Sequence, residues 1–189
     1  MDNVFWRGAA PRLSICIPAY RHDVTPLMTA LAECEDAALV ELIVHDDGGG
    51  DHDLLARLQN EAGRLRIAVR LIAADRNRGR SAARNAAIAH ARADWVLLLD
   101  ADMLPDDPAF LTRYLDAMEM SLVPSVIVGG YSLRLAPKHA RHALHRWQAE
   151  ASECINAARR QASPGRHVFS SNVLVHRLVN PVKRLISNF

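Results

Sequence analysis

The sequence contains little cysteine, few aromatic side chains and almost no lysine. Of its 189 residues, three are cysteines and 5% are aromatic, and the only lysines are Lys138 and Lys183. An odd cysteine count without CxxC or Cys/His spacing argues against a disulfide framework and a zinc site, and favours reduced thiols. A phosphoacceptor receiver domain needs a lysine at a late strand end, so the sequence also disfavours that class.

Long apolar runs and a leader sequence are missing as well. No run approaches the length of a membrane span, and the opening MDNVFWRGAAPR lacks the basic-then-apolar order of a signal peptide. Half of the residues are apolar and 23% are charged, which is typical of a globular protein. We therefore expect one domain over residues 1–189, located in the cytoplasm.

The net charge of +2 hides an asymmetry between the two ends of the chain. Residues 1–132 carry 13 basic and 19 acidic side chains, a balance of −6, whereas residues 133–189 carry 10 and 2, a balance of +8. Such a basic segment can meet anionic lipid headgroups, a phosphate-bearing substrate or nucleic acid. The alternatives are a solvated basic face and a surface that packs on acidic sequence outside this chain.

Apolar runs of strand length alternate with segments of helical spacing. This order predicts an α/β fold with a parallel, doubly wound sheet. Thr25 before Pro26 is expected to cap a helix, Asp51 to cap the next one and Ser81 to open a third. The predicted strands are 13–18, 40–44, 67–73, 95–99, 125–131 and 167–176, and the predicted helices are 25–34, 51–62, 81–91, 108–120 and 138–161.

The stretch WVLLLDADMLP, residues 95–105, carries the most specific chemistry. A run that is apolar at every position is typical of a strand buried on both faces, and Asp100 and Asp102 follow at its carboxyl end. Ligands bind at that edge of open α/β sheets, and two carboxylates so close together suit a divalent cation that also touches phosphate oxygens. Turn formation and helix capping are the alternative roles.

Two other predicted strands end in distinctive residues at the same edge. Residues 18–20 (PAY) follow the first strand, and Asp46 and Asp47 with three glycines follow the second. An aspartate there can accept a hydrogen bond from a pyrimidine, and glycines let the backbone approach a ligand. Arg80 and Arg84 share a helix face and can neutralise phosphate or hold the carboxylates in place. The pattern indicates a nucleotide site with a metal-bound diphosphate.

Four segments in this order, PAYRH, IVHDDGGGD, DRNRGRSAARNAAIAHA and WVLLLDADMLP, resemble the nucleotide-sugar-binding half of family 2 inverting glycosyltransferases of the GT-A fold. The similarity is strong over residues 13–108, and SSNVLVHR at 170–177 resembles more weakly a later strand near the acceptor site. The resemblance implies a GT-A-like, Rossmann-related and mostly parallel sheet flanked by helices, incomplete at its C-terminus.

The resemblance also implies roles on the base side of the site. Pro18, Ala19 and Tyr20 would line the base and ribose pocket. Asp47, together with Asp46, would recognise the uracil-like edge. Ordinary packing for Tyr20 and helix or turn capping for Asp46 are the alternatives.

On the phosphate side, the resemblance assigns Asn77, Gly79 and Arg84 to one motif. Asp100 would bind the ribose or a metal-bound water, and Asp102 would hold Mn²⁺ or Mg²⁺ on the diphosphate. An exposed helical charge is the alternative for Arg84.

The implied reaction is an in-line displacement at the anomeric carbon of the sugar, which also needs a base for the acceptor hydroxyl. After Glu119 the only side-chain carboxylates are Glu150 and Glu153, and neither matches the acidic motif of the family. The catalytic residue is therefore unknown, and we expect the base to lie beyond Phe189 in a longer chain. Gly49 and Arg21 also depart from the residues common in relatives.

The implied partners are a UDP-sugar donor and a glycan, polysaccharide or lipid-linked acceptor, and no nucleic acid is expected. Residues 120–189 would form part of the acceptor side, and their basic side chains would contact the inner face of a membrane. Two alternatives stay open. One is a nucleotide-sugar-binding module without transfer activity. The other is a sugar-phosphate nucleotidyltransferase, which should have a glycine-rich loop where PAYRHDVT stands.

The predicted helix 138–161 carries three histidines at a spacing of three, His139, His142 and His145. A second metal site is conceivable, but without carboxylate support a solvated polar face is favoured. Trp147 is expected in the core or as a seat for a sugar ring. Asn172 is either an acceptor contact or part of strand packing.

Overall fold

The computed structural model describes residues 1–136 and 138–179, which form one six-stranded mixed sheet. The strands are β1 (Leu13–Ala19), β2 (Val40–Asp46), β3 (Ala68–Ala73), β4 (Trp95–Leu99), β5 (Val126–Val128) and β6 (Asn172–His176). Their order is β3-β2-β1-β4-β6-β5, and the first four strands in that order are parallel. The predicted α/β class is confirmed.

Helices cover both faces of the sheet because its central strands are apolar at almost every position. Ile15 and Ile17 of β1 belong to the core cluster under α1, α2 and α4, whereas Cys16 belongs to the cluster that contains Ala87 of α3. None of the described helices is long and apolar enough to cross a membrane. The helices are α1 (Thr25–Ala32), α2 (His52–Arg64), α3 (Arg80–Ala89), α4 (Phe110–Glu119), α5 (Ala143–Ser152) and α6 (Ala157–Ala162).

The last two strands differ from the prediction. β6 begins only at Asn172 and runs antiparallel between β4 and β5, so the sheet is mostly parallel, as the resemblance implies, but not wholly parallel. The predicted strand 125–131 is reduced to β5, because Gly129 already lies against Tyr114 and the Asn172 side chain. Apolar periodicity reports burial and not strand direction, so the antiparallel insertion could not be predicted from it.

The predicted single helix 138–161 is wrong. A 3-10 turn at Ala140–His142 leads into α5, and α6 starts only at Ala157. Between the two helices Ile155 is buried, and Asn156 caps α6 by accepting the N–H of Arg159 at 3.0 Å. A buried apolar residue followed by a capping residue ends one helix and starts another.

Two helix starts also differ from the prediction. α1 begins at Thr25 itself, whose N–H and hydroxyl both donate to the Asp23 carboxylate, so Thr25 is not the cap. α3 begins at Arg80 and not at Ser81. Asp51 caps α2 as predicted, and its carboxylate accepts the N–H of Leu54 at 2.9 Å.

The N-terminal residues cover the edge of the sheet at β3. Asp2 accepts two hydrogen bonds of 2.6 Å from Arg70, and the Asn3 side chain bonds to the backbone around β3. The Trp6 ring lies between two guanidinium groups, with Arg70 at 4.5 Å and Arg92 at 4.0 Å from its centroid. Covering an edge strand in this way blocks its pairing with other chains.

Arg92 also neutralises a fully buried carboxylate. The Glu41 side chain on β2 is 0% exposed, and it accepts hydrogen bonds from Arg92 Nε at 2.6 Å and from the Ser14 hydroxyl at 2.6 Å. Removing one partner of such a pair leaves an uncompensated charge in the interior. This pair therefore links β1, β2 and the segment before β4.

We predict that Arg92→Ala lowers the free energy of unfolding by about 3 kcal/mol, because Glu41 loses its counterion in the interior. The matched control is Arg12→Ala, which breaks an ion pair with Glu119 in which both side chains are well exposed. That change should cost no more than about 1 kcal/mol. Urea denaturation measures both values, and equal costs for the two variants would contradict the prediction.

Candidate functional site

Three parallel strands end side by side at the carboxyl edge of the sheet. Ala19 of β1 lies opposite Asp46 of β2, and the Asp47 N–H donates to the Ala19 carbonyl at 2.8 Å. β4 lies on the other side of β1, and Asp100 and Asp102 follow directly after it. The structure thus brings the three strand ends together, as their positions after parallel strands predict.

A cleft of about 380 Å³ opens between these strand ends. Seven of the ten predicted site residues line it, whereas Asp46, Gly79 and Arg84 do not. His22, to which the sequence analysis assigned no role, also lies in the lining, just after the end of β1. The full lining consists of Pro18, Ala19, Tyr20, His22, Asp47, Asn77, Arg80, Ala83, Asp100, Ala101 and Asp102.

Asp47 holds the loop that precedes α3. Its carboxylate accepts the backbone N–H groups of Arg78 at 3.0 Å and Gly79 at 2.8 Å, and the residue is only 3% exposed. Asn77 of the same loop accepts the Gly79 N–H at 3.1 Å. Since a carboxylate offers about four acceptor positions, Asp47 can hold this loop and still accept a hydrogen bond from a ligand in the cleft.

Gly48 lets the two loops of the cleft approach each other at backbone level. It has a φ of +70°, and a Cβ atom there would overlap the backbone of Arg76. Gly50 has the same φ, but a Cβ atom there would meet nothing within 4 Å. The close approach at Gly48 therefore fixes the loop that carries Asn77 beside the end of β2.

Arg84 is buried, so the exposed-charge alternative is wrong. The side chain is 1% exposed, and its Nη2 donates to Asp100 Oδ1 at 2.5 Å. Its Nε has no hydrogen-bond partner among the described residues. Because Asp100 lines the cleft and Arg84 does not, this contact matches the predicted role of holding a carboxylate in place.

Asp102 is exposed at the cleft, in contrast to the ion-paired Asp100. In the part of the chain that the structure describes, no group of three or more His, Cys, Asp or Glu side chains could hold a metal ion. Mg²⁺ is often bound by one or two carboxylates together with substrate phosphates and water. The residues present therefore fit a cation that arrives with a diphosphate, and not one held by the protein alone.

Two titratable groups of β2 lie next to Asp47 but outside the cleft lining. Burial raises the pKa of Asp46, and a hydrogen bond from the Gly49 N–H opposes that shift. Burial also lowers the pKa of His45, whose Nδ1 has no hydrogen-bond partner among residues 1–136 and 138–179. Of the two neighbouring aspartates, Asp47 is thus the one that reaches the cleft.

On the other side of β4 lie Ser171, from the weakly matching segment 170–177, and two aromatic residues to which the sequence analysis assigned no role. The Asp100 N–H donates to the Ser171 carbonyl at 3.1 Å, and the Ser171 and Tyr131 hydroxyls are 2.6 Å apart. Phe169 packs edge-on against Tyr131, with ring centroids 5.8 Å apart. Asn172 is buried and bonded within the core, which favours its packing role.

The fold and the family follow from comparisons with known proteins. The six-stranded α/β sheet flanked by helices matches GT-A glycosyltransferases. The sequence model described as glycosyl transferase family 2 matches residues 14–177, and the chain belongs to this family.

One curated relative is the "succinoglycan biosynthesis protein ExoO" of Rhizobium meliloti (strain 1021), which is 37% identical over 97 residues. The match covers 49% of this chain and 26% of that protein. The chain thus matches about a quarter of the length of this relative.

Solved structures show the same fold at low identity. The mannosyltransferase PcManGT of Pyrobaculum calidifontis, in complex with GDP-Man and Mn²⁺, has a TM-score of 0.57 at 16% identity. The match covers 96% of this chain and 52% of the PcManGT chain. Glucosyl-3-phosphoglycerate synthase of Mycobacterium tuberculosis in complex with UDP has a TM-score of 0.56 at 18% identity. The match covers 89% of this chain and 57% of the synthase. S. aureus TarS 1–349 in complex with UDP-GlcNAc has a TM-score of 0.52 at 21% identity. The match covers 67% of this chain and 37% of the TarS chain.

We predict that Gly48→Ala lowers the free energy of unfolding by more than Gly50→Ala does. Both replacements carry backbone strain of about 1 kcal/mol at positive φ. Only Gly48→Ala adds a steric overlap with the backbone of Arg76, which should lower the free energy of unfolding by about 1 kcal/mol more. Chemical denaturation of the two variants measures the difference, and equal losses would show that the loops do not approach as described.

Proposed function

We propose that this chain binds a UDP-sugar and forms the donor-binding part of a glycosyltransferase. The whole protein would transfer the sugar, with inversion and with assistance from a metal ion, to a glycan, polysaccharide or lipid-linked acceptor. Residues 13–108 would form the donor part and residues 120–189 part of the acceptor side, of which 180–189 lie outside the described residues. The proposal includes a cytoplasmic location, peripheral to the inner face of a membrane.

The observation that carries this proposal is the cleft at the three strand ends. Its volume of about 380 Å³ falls within the range of small-molecule sites. Three aspartates line it together with Arg80 at the start of α3. Membership in glycosyltransferase family 2 supports the reaction class. TarS and PcManGT have been solved with UDP-GlcNAc and with GDP-Man and Mn²⁺, which supports a nucleotide sugar as the ligand.

In the proposed complex the base would lie between Pro18, Ala19 and Tyr20, and Asp47 would accept its imide N–H. Asp46 would support this end from outside the lining, since it lies next to Asp47 on β2.

At the phosphate end, Asp47 holds the loop that carries Asn77 and Gly79, so that the loop can approach the diphosphate. Arg80 would contact phosphate oxygens, and Arg84 would keep the Asp100 carboxylate oriented toward the ribose. Asp102 would bind Mn²⁺ or Mg²⁺, which when bound stabilises negative charge on the leaving diphosphate.

The acceptor hydroxyl must lose its proton to a general base. The expected base beyond Phe189 lies outside the described residues. Glu150 and Glu153, the carboxylates described after Glu119, do not line the cleft, which keeps a donor-binding module without transfer as the second candidate. Assays of donor hydrolysis and sugar transfer on the whole protein separate the two, since UDP binding without turnover there favours the module. The nucleotidyltransferase alternative is disfavoured because the family match points elsewhere.

We predict that Asp102→Ala abolishes the Mn²⁺-dependent part of UDP binding, because the cation loses its protein carboxylate. The residue is exposed at a strand end, so the free energy of unfolding should change by less than about 0.5 kcal/mol. Calorimetric titration of UDP with and without Mn²⁺ measures the first effect, and urea denaturation measures the second.

The control is Asp116→Ala, which removes an exposed carboxylate from α4 outside the cleft lining. This variant should bind UDP and Mn²⁺ as the wild type does. If Asp102→Ala did the same, Asp102 would not be the metal ligand.

We also predict that Asp47→Asn changes the choice of base. Asparagine can still accept a backbone N–H from the 77–79 loop, but its amide would donate toward the cleft and favour cytosine over uracil. The ratio of UDP to CDP affinity should fall by about tenfold. Asp116→Asn, which alters an exposed residue outside the lining, should leave the ratio unchanged. An equal loss of affinity for both nucleotides in Asp47→Asn would restrict Asp47 to holding the loop.

A further inference from the structure

The outer face of α5 exposes two large apolar side chains to solvent. Leu144 is 76% exposed and Trp147 is 67% exposed, and three residues along a helix place them on the same face. Ala149 is the buried residue of this helix, so the opposite face is the one that packs inward. Trp147 is therefore not the core residue that the sequence allowed, and it projects from the surface next to a leucine.

Basic side chains predominate in the segment that carries this face, although the exposed Glu150 lies three residues after Trp147 on the same side of the helix. Lys138 and Arg141 are exposed just before α5, and Arg134 is exposed nearer to β5. Over the described residues from 133 onward, eight basic side chains stand against two acidic ones, Glu150 and Glu153. An apolar stripe with exposed Trp and Leu, flanked by Lys and Arg, is typical of helices that lie in the interface of an anionic bilayer.

The segment that leads into α5 is bonded to the loop that follows β4. The Ser132 hydroxyl donates to the Asp106 carboxylate at 2.8 Å, and Arg134 donates to the Asp106 carbonyl at 2.8 Å. Asp106 lies four residues after Asp102, in the loop that follows the acidic strand end. The chain that leads toward α5 is thus held to the loop that follows Asp102.

We propose that the outer face of α5, formed by Leu144 and Trp147 and flanked by Lys138 and Arg141, docks on an anionic membrane surface. The apolar pair inserts at the level of the headgroups, and the cations contact the lipid phosphates. The complementary charge selects an anionic bilayer over a zwitterionic one. This inference rests on the membrane-peripheral location in the proposed function and names the surface responsible. Its test measures lipid binding alone, so its failure is distinguishable from a failure of nucleotide binding or sugar transfer.

Tryptophan fluorescence provides a direct readout in the unmodified 189-residue chain. Trp6 is buried and Trp95 is half-buried, whereas Trp147 is largely exposed and should dominate any change of environment. We expect a blue shift of the emission on titration with vesicles of phosphatidylglycerol and phosphatidylcholine at low salt. Pure phosphatidylcholine vesicles should give little shift, and added salt should weaken the binding. The absence of a shift at saturating anionic vesicles would overturn the proposal.

Vesicle co-sedimentation of variants locates the contact. Leu144→Ser combined with Trp147→Ser should weaken binding by at least about tenfold, and Lys138→Glu combined with Arg141→Glu should also weaken it. The matched control is Leu122→Ser with Val123→Ser, since these side chains are 96% and 66% exposed between α4 and β5. The control pair should bind like the wild type.

Two results would overturn the assignment to α5. One is wild-type binding by the Leu144/Trp147 double variant. The other is a wild-type dimer that dissociates in this variant without any binding to vesicles, which would assign the face to a second copy of the chain. Urea denaturation should show unchanged stability for both serine double variants, because all four side chains are exposed.

Discussion

The parallel pairing of β1 with both β2 and β4 is the constraint on which the site depends. It places the ends of three strands next to one another, so that Tyr20, Asp47 and Asp102 line one cleft although they are far apart in sequence. These strands are buried on both faces, and a slip of one residue would exchange the side chains that face the two cores. The packing of the core therefore also sets the geometry of the site.

Three carboxylates line the cleft, and each has different neighbours in the structure. Asp47 is held by two backbone N–H groups, and Asp100 is held by the buried Arg84. Asp102 is left exposed to solvent. Like charges at one sheet edge repel one another, so compensating two of them internally lowers that repulsion. The remaining carboxylate, that of Asp102, is the one that we propose as the ligand of a cation.

Much of the central sheet could be predicted because its signals are local. β4 has the predicted bounds, since a run that is apolar at each position and ends in two aspartates defines both its burial and its end. The cap at Asp51 and the meeting of the strand ends follow from equally short patterns. The arrangement around β6 could not be predicted, because strand direction depends on pairing with distant residues.

Contacts between distant residues also explain why some features of the site could not be predicted from the sequence. The burial of Arg84 depends on the close packing of α3 against the sheet, and a helical position alone does not reveal it. The hold of Asp47 on the 77–79 loop joins residues about thirty positions apart. The sequence leaves Trp147 either in the core or in contact with a sugar ring, and the burial of Ala149 on the opposite face excludes the core position.

Hydrogen–deuterium exchange with and without UDP and Mn²⁺ tests the central claim most directly. If the three strand ends grip one ligand together, the backbone amides of residues 19–22, 47–49, 77–80 and 100–102 should all exchange more slowly in its presence. Protection confined to a single one of these segments, or found only elsewhere in the chain, would contradict the account.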